Sequence, residues 1–176
     1  MDDSKPQVIN VDEAEEIWEE EGPWGGSYKV LTPRAEPGSC RLGMNITRLR
    51  KGHSACPFHY HLREDEVFYV LSGRGVLRYG DTLRELRPGD SIYCPAGSLV
   101  AHQIANPYDE DLVYLGVGNN DPHEVCVYPD SGKVLVRGIH KVGFLREAPY
   151  MDCEPDPPRI FELIQAGGTT TLGPRR

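Results

Sequence analysis

The segment from His59 to Glu66 has the residue types and the spacing that could bind a metal ion. One residue separates His59 from His61, and Glu66 follows five positions after the second histidine. In a β-strand, residues i and i+2 point to the same face, roughly 6–7 Å apart along the chain. The two imidazoles could therefore reach one ion while Tyr60 faces away, or they could be polar residues on the wet face of an ordinary strand.

Glu66 and His102 are the candidates for the third and fourth ligands. Residues 62–65 are polar enough to form a tight connection, after which Glu66 would begin the next antiparallel strand opposite the histidines. His102 follows the turn at residues 95–97 and begins another short strand. Three imidazoles and one carboxylate suit a divalent transition metal (Fe, Mn, Ni, Co or Zn), whereas calcium requires more oxygen ligands. In an octahedral arrangement, two positions would stay open for water or substrate.

The elements that must position these residues are predicted to be strands. Short apolar runs separated by Gly and Pro turns extend from about residue 28 to 137, and this pattern indicates an all-β sandwich or barrel. Gly80-Asp81 suits a two-residue hairpin turn between residues 76–79 and 83–86.

The two ends of the chain have a different composition. Residues 1–26 are acidic, and the amphipathic segment around residues 11–18 predicts a short helix that ends at Gly22-Pro23. Four prolines between residues 138 and 166 predict a segment that wraps the barrel or a neighbouring subunit, with a frayed end at residues 167–176. We therefore expect an extension at 1–26, a barrel at 27–137 and a C-terminal extension at 138–176.

Composition limits the classes of function. The chain of 176 residues fits one domain, and its net charge of −8 disfavours nucleic-acid binding. No apolar run approaches the roughly 20 residues of a membrane span, and the N-terminus lacks a signal-peptide pattern, so we expect no membrane partner and a cytoplasmic protein. Five scattered cysteines without a C-x-x-C pair indicate free thiols, of which Cys56 and Cys94 could approach the site.

Two framed motifs resemble those of the cupin superfamily, specifically its small single-domain members. Their shared positions cover about residues 43–118, with one extra residue after Gly52 and two before His102. The first motif is matched by Gly52, His59, His61, Glu66 and Gly73, and the second by Gly89, Pro95, Gly97, His102 and Asn106.

The resemblance implies a double-stranded β-helix, or jelly-roll barrel, with the site inside. It also implies that His59, His61, Glu66 and His102 are the metal ligands and that the protein is a homodimer. Glu64 and Asp65 compete for the carboxylate position, but only Glu66 fits the count from the histidines and the count to the following glycine.

Three further residues are candidates for contacting a substrate. Arg48 and Arg50 share one face of the strand before the site, and either could bind a substrate carboxylate if that face is the barrel interior. Tyr93, together with other tyrosines, could line the pocket or pack in the core.

The sequence supports two hypotheses of different classes. The first is a metalloenzyme acting on a small polar carboxylate or sugar-like substrate, either as an isomerase, lyase or decarboxylase or as a dioxygenase. The second is a binding or sensor barrel without catalysis, which is disfavoured because 26 residues before the barrel leave no space for a DNA-binding domain. The four ligands alone do not separate the two reaction types.

Overall fold

The computed structural model describes residues 8–32 and 41–166, and these residues form the all-β barrel that the sequence predicts. Helical structure is minor: a 3-10 turn at Arg137–Ile139 and one helix, α1, at Arg159–Gln165. The strands are β1 Ile17–Glu21, β2 Trp24–Val30, β3 Leu42–Leu49, β4 His53–Ser54, β5 Tyr60–His61, β6 Glu66–Ser72, β7 Gly75–Tyr79, β8 Thr82–Leu86, β9 Ser91–Cys94, β10 His102–Asn106, β11 Leu112–Asn119, β12 Val125–Tyr128, β13 Lys133–Val136 and β14 Lys141–Phe144.

The strands form two sheets. The larger one has ten strands in the order β8-β7-β10-β4-β2-β3-β11-β6-β9, with β1 paired to β2 at its side. The smaller one has the order β14-β13-β12-β5. Tyr79 pairs with Thr82, so the predicted hairpin turn at Gly80-Asp81 is confirmed.

The core lies on the inward face of the large sheet. Alternate residues of β10 and β11 are buried, as expected for strands with one face against the core. The same alternation that buries Ile104 also turns His102 inward. The buried apolar cluster comprises Leu49, Val70, Leu77, Leu86, Ile92, Cys94, Ile104, Leu112 and Tyr114.

The predicted N-terminal helix is wrong. Asn10 does begin a turn, in which its side chain accepts a hydrogen bond from Asp12 N, but β1 follows at Ile17 and pairs along its whole length with β2. Closely spaced glutamates repel one another on a helix surface. As a strand, the segment instead gains backbone hydrogen bonds from β2 and a pairing partner for Glu16 in Arg48.

The chain divides into two compact units, with the boundary between Leu145 and Arg146. The first unit extends past residue 137 because β14 pairs with β13. The second contains α1, and the predicted frayed end at 167–176 lies outside the described residues. No helix in the described ranges is long and apolar enough to cross a membrane.

Candidate metal centre

The histidines of the predicted site lie where the two sheets meet. His59 exchanges backbone hydrogen bonds with His102 (N to O, 3.1 and 2.8 Å), whereas the next residues, Tyr60 and His61, pair with β12 of the small sheet. The centroid of the His59 imidazole ring lies 4.9 Å from the ring centroid of His61 and 4.5 Å from that of His102. Three imidazoles from two sheets therefore face a common point.

Glu66 reaches this point from the first residue of β6. Its Oε2 lies 2.9 Å from His102 Nε2, 3.2 Å from His61 Nε2 and 3.9 Å from His59 Nε2. The expected hairpin between the two strands is not formed, because β6 pairs with β11 and β9 in the large sheet. Glu66 thus meets the histidines across the barrel interior and not along a shared strand pair.

The four side chains fit a divalent ion. Donor atoms at about 2.1 Å from a metal are about 3.0 Å apart at right angles and about 4.2 Å apart when opposite, and the distances from the three Nε2 atoms to Glu66 Oε2, 2.9 to 3.9 Å, are close to this range. His61 Nδ1 is buried without a hydrogen-bond partner in the described part of the chain, and so are Glu66 Oε2, His61 Nε2 and His102 Nε2, which converge on one point. Each such atom costs about 1–3 kcal/mol, and an ion at the point where they converge would remove that cost.

The protonation states of the cluster follow from burial and from the facing groups. Burial alone would raise the pKa of Glu66, but the imidazoles of His102 and His61 outweigh it and keep that pKa below its ordinary value. Burial, assisted by His102, lowers the pKa of His59 to about 4. At neutral pH Glu66 is ionised and His59 neutral, as metal ligands must be.

The outer nitrogen of His61 faces two further carboxylates. Nδ1 lies 3.4 Å from Glu124 Oε1 and 3.6 Å from Glu64 Oε2. Burial opposes protonation of His61, but Glu66, Glu124 and Glu64 outweigh it and raise the pKa. His61 therefore has carboxylates on both sides of its ring.

The two outer carboxylates have different partners. Arg137 binds both oxygens of Glu64 through its guanidinium group. Glu124 accepts the backbone N–H groups of Leu62 and Arg63, each at 2.9 Å. The sequence analysis did not identify Glu124 or Arg137, and no local signal marks them, since both are more than 60 residues from the loop that they contact.

The outer nitrogen of His59 is held differently. Its Nδ1 lies 2.7 Å from the carbonyl oxygen of Pro57 and 3.5 Å from Cys56 Sγ. Because a carbonyl only accepts, the proton belongs on Nδ1 and the lone pair of Nε2 faces the cluster. Cys126 lies opposite His61 in the strand pairing, and burial raises the pKa of the Cys56 and Cys126 thiols to about 12.

Arg48 and Arg50 do not join the cluster. They do share one face of the chain, but Leu49 between them is fully buried, so that face is the outer one. Arg48 pairs with Glu16 and Asp111, and Arg50 stacks on Trp18 with its Cζ 3.8 Å from the ring centroid. Both guanidinium groups therefore contact residues in or next to β1, namely Glu16 and Trp18.

Tyr93 is also on the outer face. Its side chain is exposed, and its hydroxyl donates to Asp65 Oδ1 at 2.9 Å. In β9 the buried positions are those of Ile92 and Cys94. The structure therefore brings together the four predicted ligands and leaves the three candidate substrate residues elsewhere.

Comparison with known proteins gives one family and several similar structures. Residues 45–118 match the cupin domain family. The structure is similar to that of a sugar phosphate isomerase from a cupin superfamily of Silicibacter pomeroyi (27% identity, TM-score 0.64, covering 81% of this chain and 93% of that chain). A structure from Acidithiobacillus ferrooxidans shares the fold (23% identity, TM-score 0.61, covering 80% and 97%).

A match among curated proteins is shorter. An uncharacterized protein of Methanocaldococcus jannaschii is 35% identical over 48 residues, which are 27% of this chain. The matched part spans 37% of the length of that protein, so the match informs only on the segment that it covers.

Proposed function

Because this chain carries a cupin domain and belongs to the cupin superfamily, we propose that it is a divalent-metal-dependent enzyme that isomerises a small phosphorylated sugar. The proposal is carried by one observation, namely the convergence of unpaired, buried donor atoms of His61, Glu66 and His102 on one point. The similarity to a sugar phosphate isomerase at 27% identity supports the substrate class.

The proposed ligands are His59, His61, Glu66 and His102. A bound divalent ion would act as a Lewis acid toward a substrate carbonyl, which favours removal of the neighbouring proton. The protein holds the three imidazoles and the carboxylate in place before binding, since His59 and His102 are fixed by mutual backbone hydrogen bonds. The barrel wall excludes most water from these groups, as His59 and His102 are only 6% and 3% exposed.

Lys133 is the cation that we assign to the substrate phosphate. Its Nζ lies 6.0 Å from the ring centroid of Tyr128, and that ring is 6.0 Å from the ring of His59. In the described part of the chain no carboxylate forms an ion pair with Lys133, whereas Arg78 is paired with Asp130. A phosphate near the site would therefore find an uncompensated positive charge at Lys133.

The assignment of Lys133 predicts a specific kinetic change. Lys133→Gln should raise KM for a phosphorylated sugar by about tenfold. This is the change expected if the lost ionic contact to phosphate contributes about 1.4 kcal/mol to binding. The KM for the unphosphorylated sugar should not change. Lys141→Gln is the matched control on the neighbouring strand, and equal effects of the two substitutions would contradict the assignment.

Metal analysis and isomerase assays test the proposal as a whole. Protein purified without chelator should contain about one divalent ion per chain and interconvert aldose and ketose phosphates from a panel of small sugars. Single alanine substitutions at His59, His61 and His102 should abolish both properties. His123→Ala, which removes an exposed histidine outside the cluster, should retain both.

Other results would overturn the proposal. Retention of the ion by the His59 and His61 variants would remove the ligand assignment. Iron together with substrate-dependent oxygen consumption would establish a dioxygenase instead. Tight binding of a sugar phosphate to metal-loaded protein without turnover would identify a binding module.

A further inference from the structure

We propose that Glu124 is a positioning residue for the metal centre: its carboxylate binds the loop that follows His61 and faces His61 Nδ1, so that Nε2 points to the ion, and it adds a buried negative charge that favours a divalent ion. This inference rests on the proposed function. It concerns the carboxylate behind the ligands, which lies outside the two sequence motifs.

The first support is the complete burial of the Glu124 carboxylate beside His61. Its side chain is 0% exposed, and within the described residues its one ion-pair partner is His61. A buried carboxylate without a compensating cation costs several kcal/mol. Arg137 also attracts Glu124, but the carboxylate that accepts its hydrogen bonds is the neighbouring Glu64.

The second support is the fixed orientation of the carboxylate. Oε1 accepts the N–H of Leu62 and Oε2 accepts the N–H of Arg63, the two residues that follow His61. The carboxylate is therefore anchored to the same loop as the imidazole. Two outer carboxylates lie near His61 Nδ1. Glu124 Oε1 is the closer, at 3.4 Å, and Glu64 Oε2 lies at 3.6 Å.

The chemical consequence concerns the tautomer of His61. An ionised carboxylate only accepts hydrogen bonds, so Glu124, 3.4 Å from Nδ1, favours a proton on that nitrogen, whereas Glu66, 3.2 Å from Nε2, favours the other tautomer until an ion binds Nε2. Glu66 and Glu124 lie on opposite sides of the His61 ring, and neither forms a hydrogen bond with Arg137. A divalent ion at the centre balances their negative charges.

Titration of Mn²⁺ or Zn²⁺ into metal-free protein tests the role of Glu124. Glu124→Gln keeps the shape of the side chain but removes the charge and places an amide N–H₂ where it can donate to His61 Nδ1. We expect Kd to rise by about 10–100-fold, the usual effect of losing a carboxylate behind a ligating histidine. Glu124→Asp, which retains the charge on a shorter side chain, should recover part of the affinity.

The matched control is the double variant Glu64→Gln/Arg137→Gln, which removes the other outer carboxylate together with its cation. Its Kd should stay within about threefold of the wild type, since the ion pair contributes no net charge. Circular dichroism and thermal unfolding report whether each variant is folded. Equal Kd values for Glu124→Gln and the wild type, or equal losses in both variants, would overturn the inference.

The imidazole ¹⁵N spectrum at pH 9 separates this inference from the proposed function. In metal-free wild-type protein, both tautomers of His61 should be populated, because Glu66 faces Nε2 and Glu124 faces Nδ1, and Glu124→Gln should shift the population toward Nε2–H. If the wild type binds no ion, the proposed function fails, and this spectrum still decides the role of Glu124. The same tautomer populations in both proteins would overturn that role.

Discussion

At the scale of residues, the strongest feature is the choice of one carboxylate among three neighbours. Glu64 turns outward from the cluster to Arg137, and Asp65 accepts hydrogen bonds from Tyr93 and from the backbone of Ala96. Only Glu66 faces the Nε2 atoms of the histidines. The motif spacing predicted this choice from the count on both sides.

Substitution of Glu66 and of Asp65 should separate the roles of these two carboxylates. Glu66→Gln should weaken metal binding by about 100-fold, at the upper end of effects seen at metal sites, because it removes the charged donor itself. Asp65→Asn should bind the ion like the wild type. Equilibrium dialysis with Zn²⁺ measures both, and a wild-type Kd for Glu66→Gln would contradict the geometry.

The limits of sequence reasoning are also visible in single residues. The two-residue period correctly placed Arg48 and Arg50 on a common face, but it does not say which face is the interior. That is decided by Leu49, which packs in the core. Glu124 could not be predicted from the sequence for another reason: its contact with the loop after His61 depends on the pairing of β5 with β12.

At the scale of elements, turn chemistry was the most predictable part. The Gly80-Asp81 hairpin and the breaks at Gly73 and Gly89 follow from residues that adopt positive φ, at +55°, +73° and +91°. The N-terminal strand β1 was not predictable, because its conformation depends on pairing with β2 and on partners such as Arg48. Amphipathic patterns over few residues fit either a helix or a strand.

Gly73 offers a test of one such turn. A Cβ at this position would lie 2.1 Å from the carbonyl oxygen of Asp111, in a backbone with φ of +73°. Gly73→Ala should therefore lower the free energy of unfolding by about 3 kcal/mol or more. Gly52 has a similar φ of +80° and nothing within 4 Å of its Cβ position.

Gly52→Ala is thus the matched control for Gly73→Ala. It carries the cost of the left-handed backbone alone, about 1–2 kcal/mol. Urea unfolding of both variants gives the comparison. An equal decrease in the free energy of unfolding for both variants would mean that the close approach to Asp111 does not affect stability.

At the scale of the whole molecule, metal binding should stabilise the fold. Ligand at 100 times its Kd adds about 2.7 kcal/mol, which for a chain of this length corresponds to roughly 5–11 °C in Tm. Differential scanning calorimetry with Zn²⁺ and with a chelator measures the difference. His102→Ala should show no shift, and a shift as large as that of the wild type would place the ion elsewhere.

The homodimer stays a prediction, and the outer face of β6 is where we expect its interface. Val67, Tyr69 and Leu71 alternate along this strand and are each exposed by 38–44%, which is unusual for three apolar neighbours on one sheet face. Tyr69→Glu should convert a dimer into a monomer in light scattering. Leu83→Glu, on β8, is the control, and an unchanged dimer in the Tyr69 variant would exclude this face.

The backbone pair between His59 and His102 has a consequence for how the barrel opens. These two residues join the small sheet to the large one through their amides, and their side chains belong to the proposed metal centre. Separating the two sheets would break both sets of contacts at once. Release of the ion and separation of the sheets are therefore linked equilibria. Loading with metal should accordingly slow hydrogen–deuterium exchange at these two amides more than at the free edge of β8.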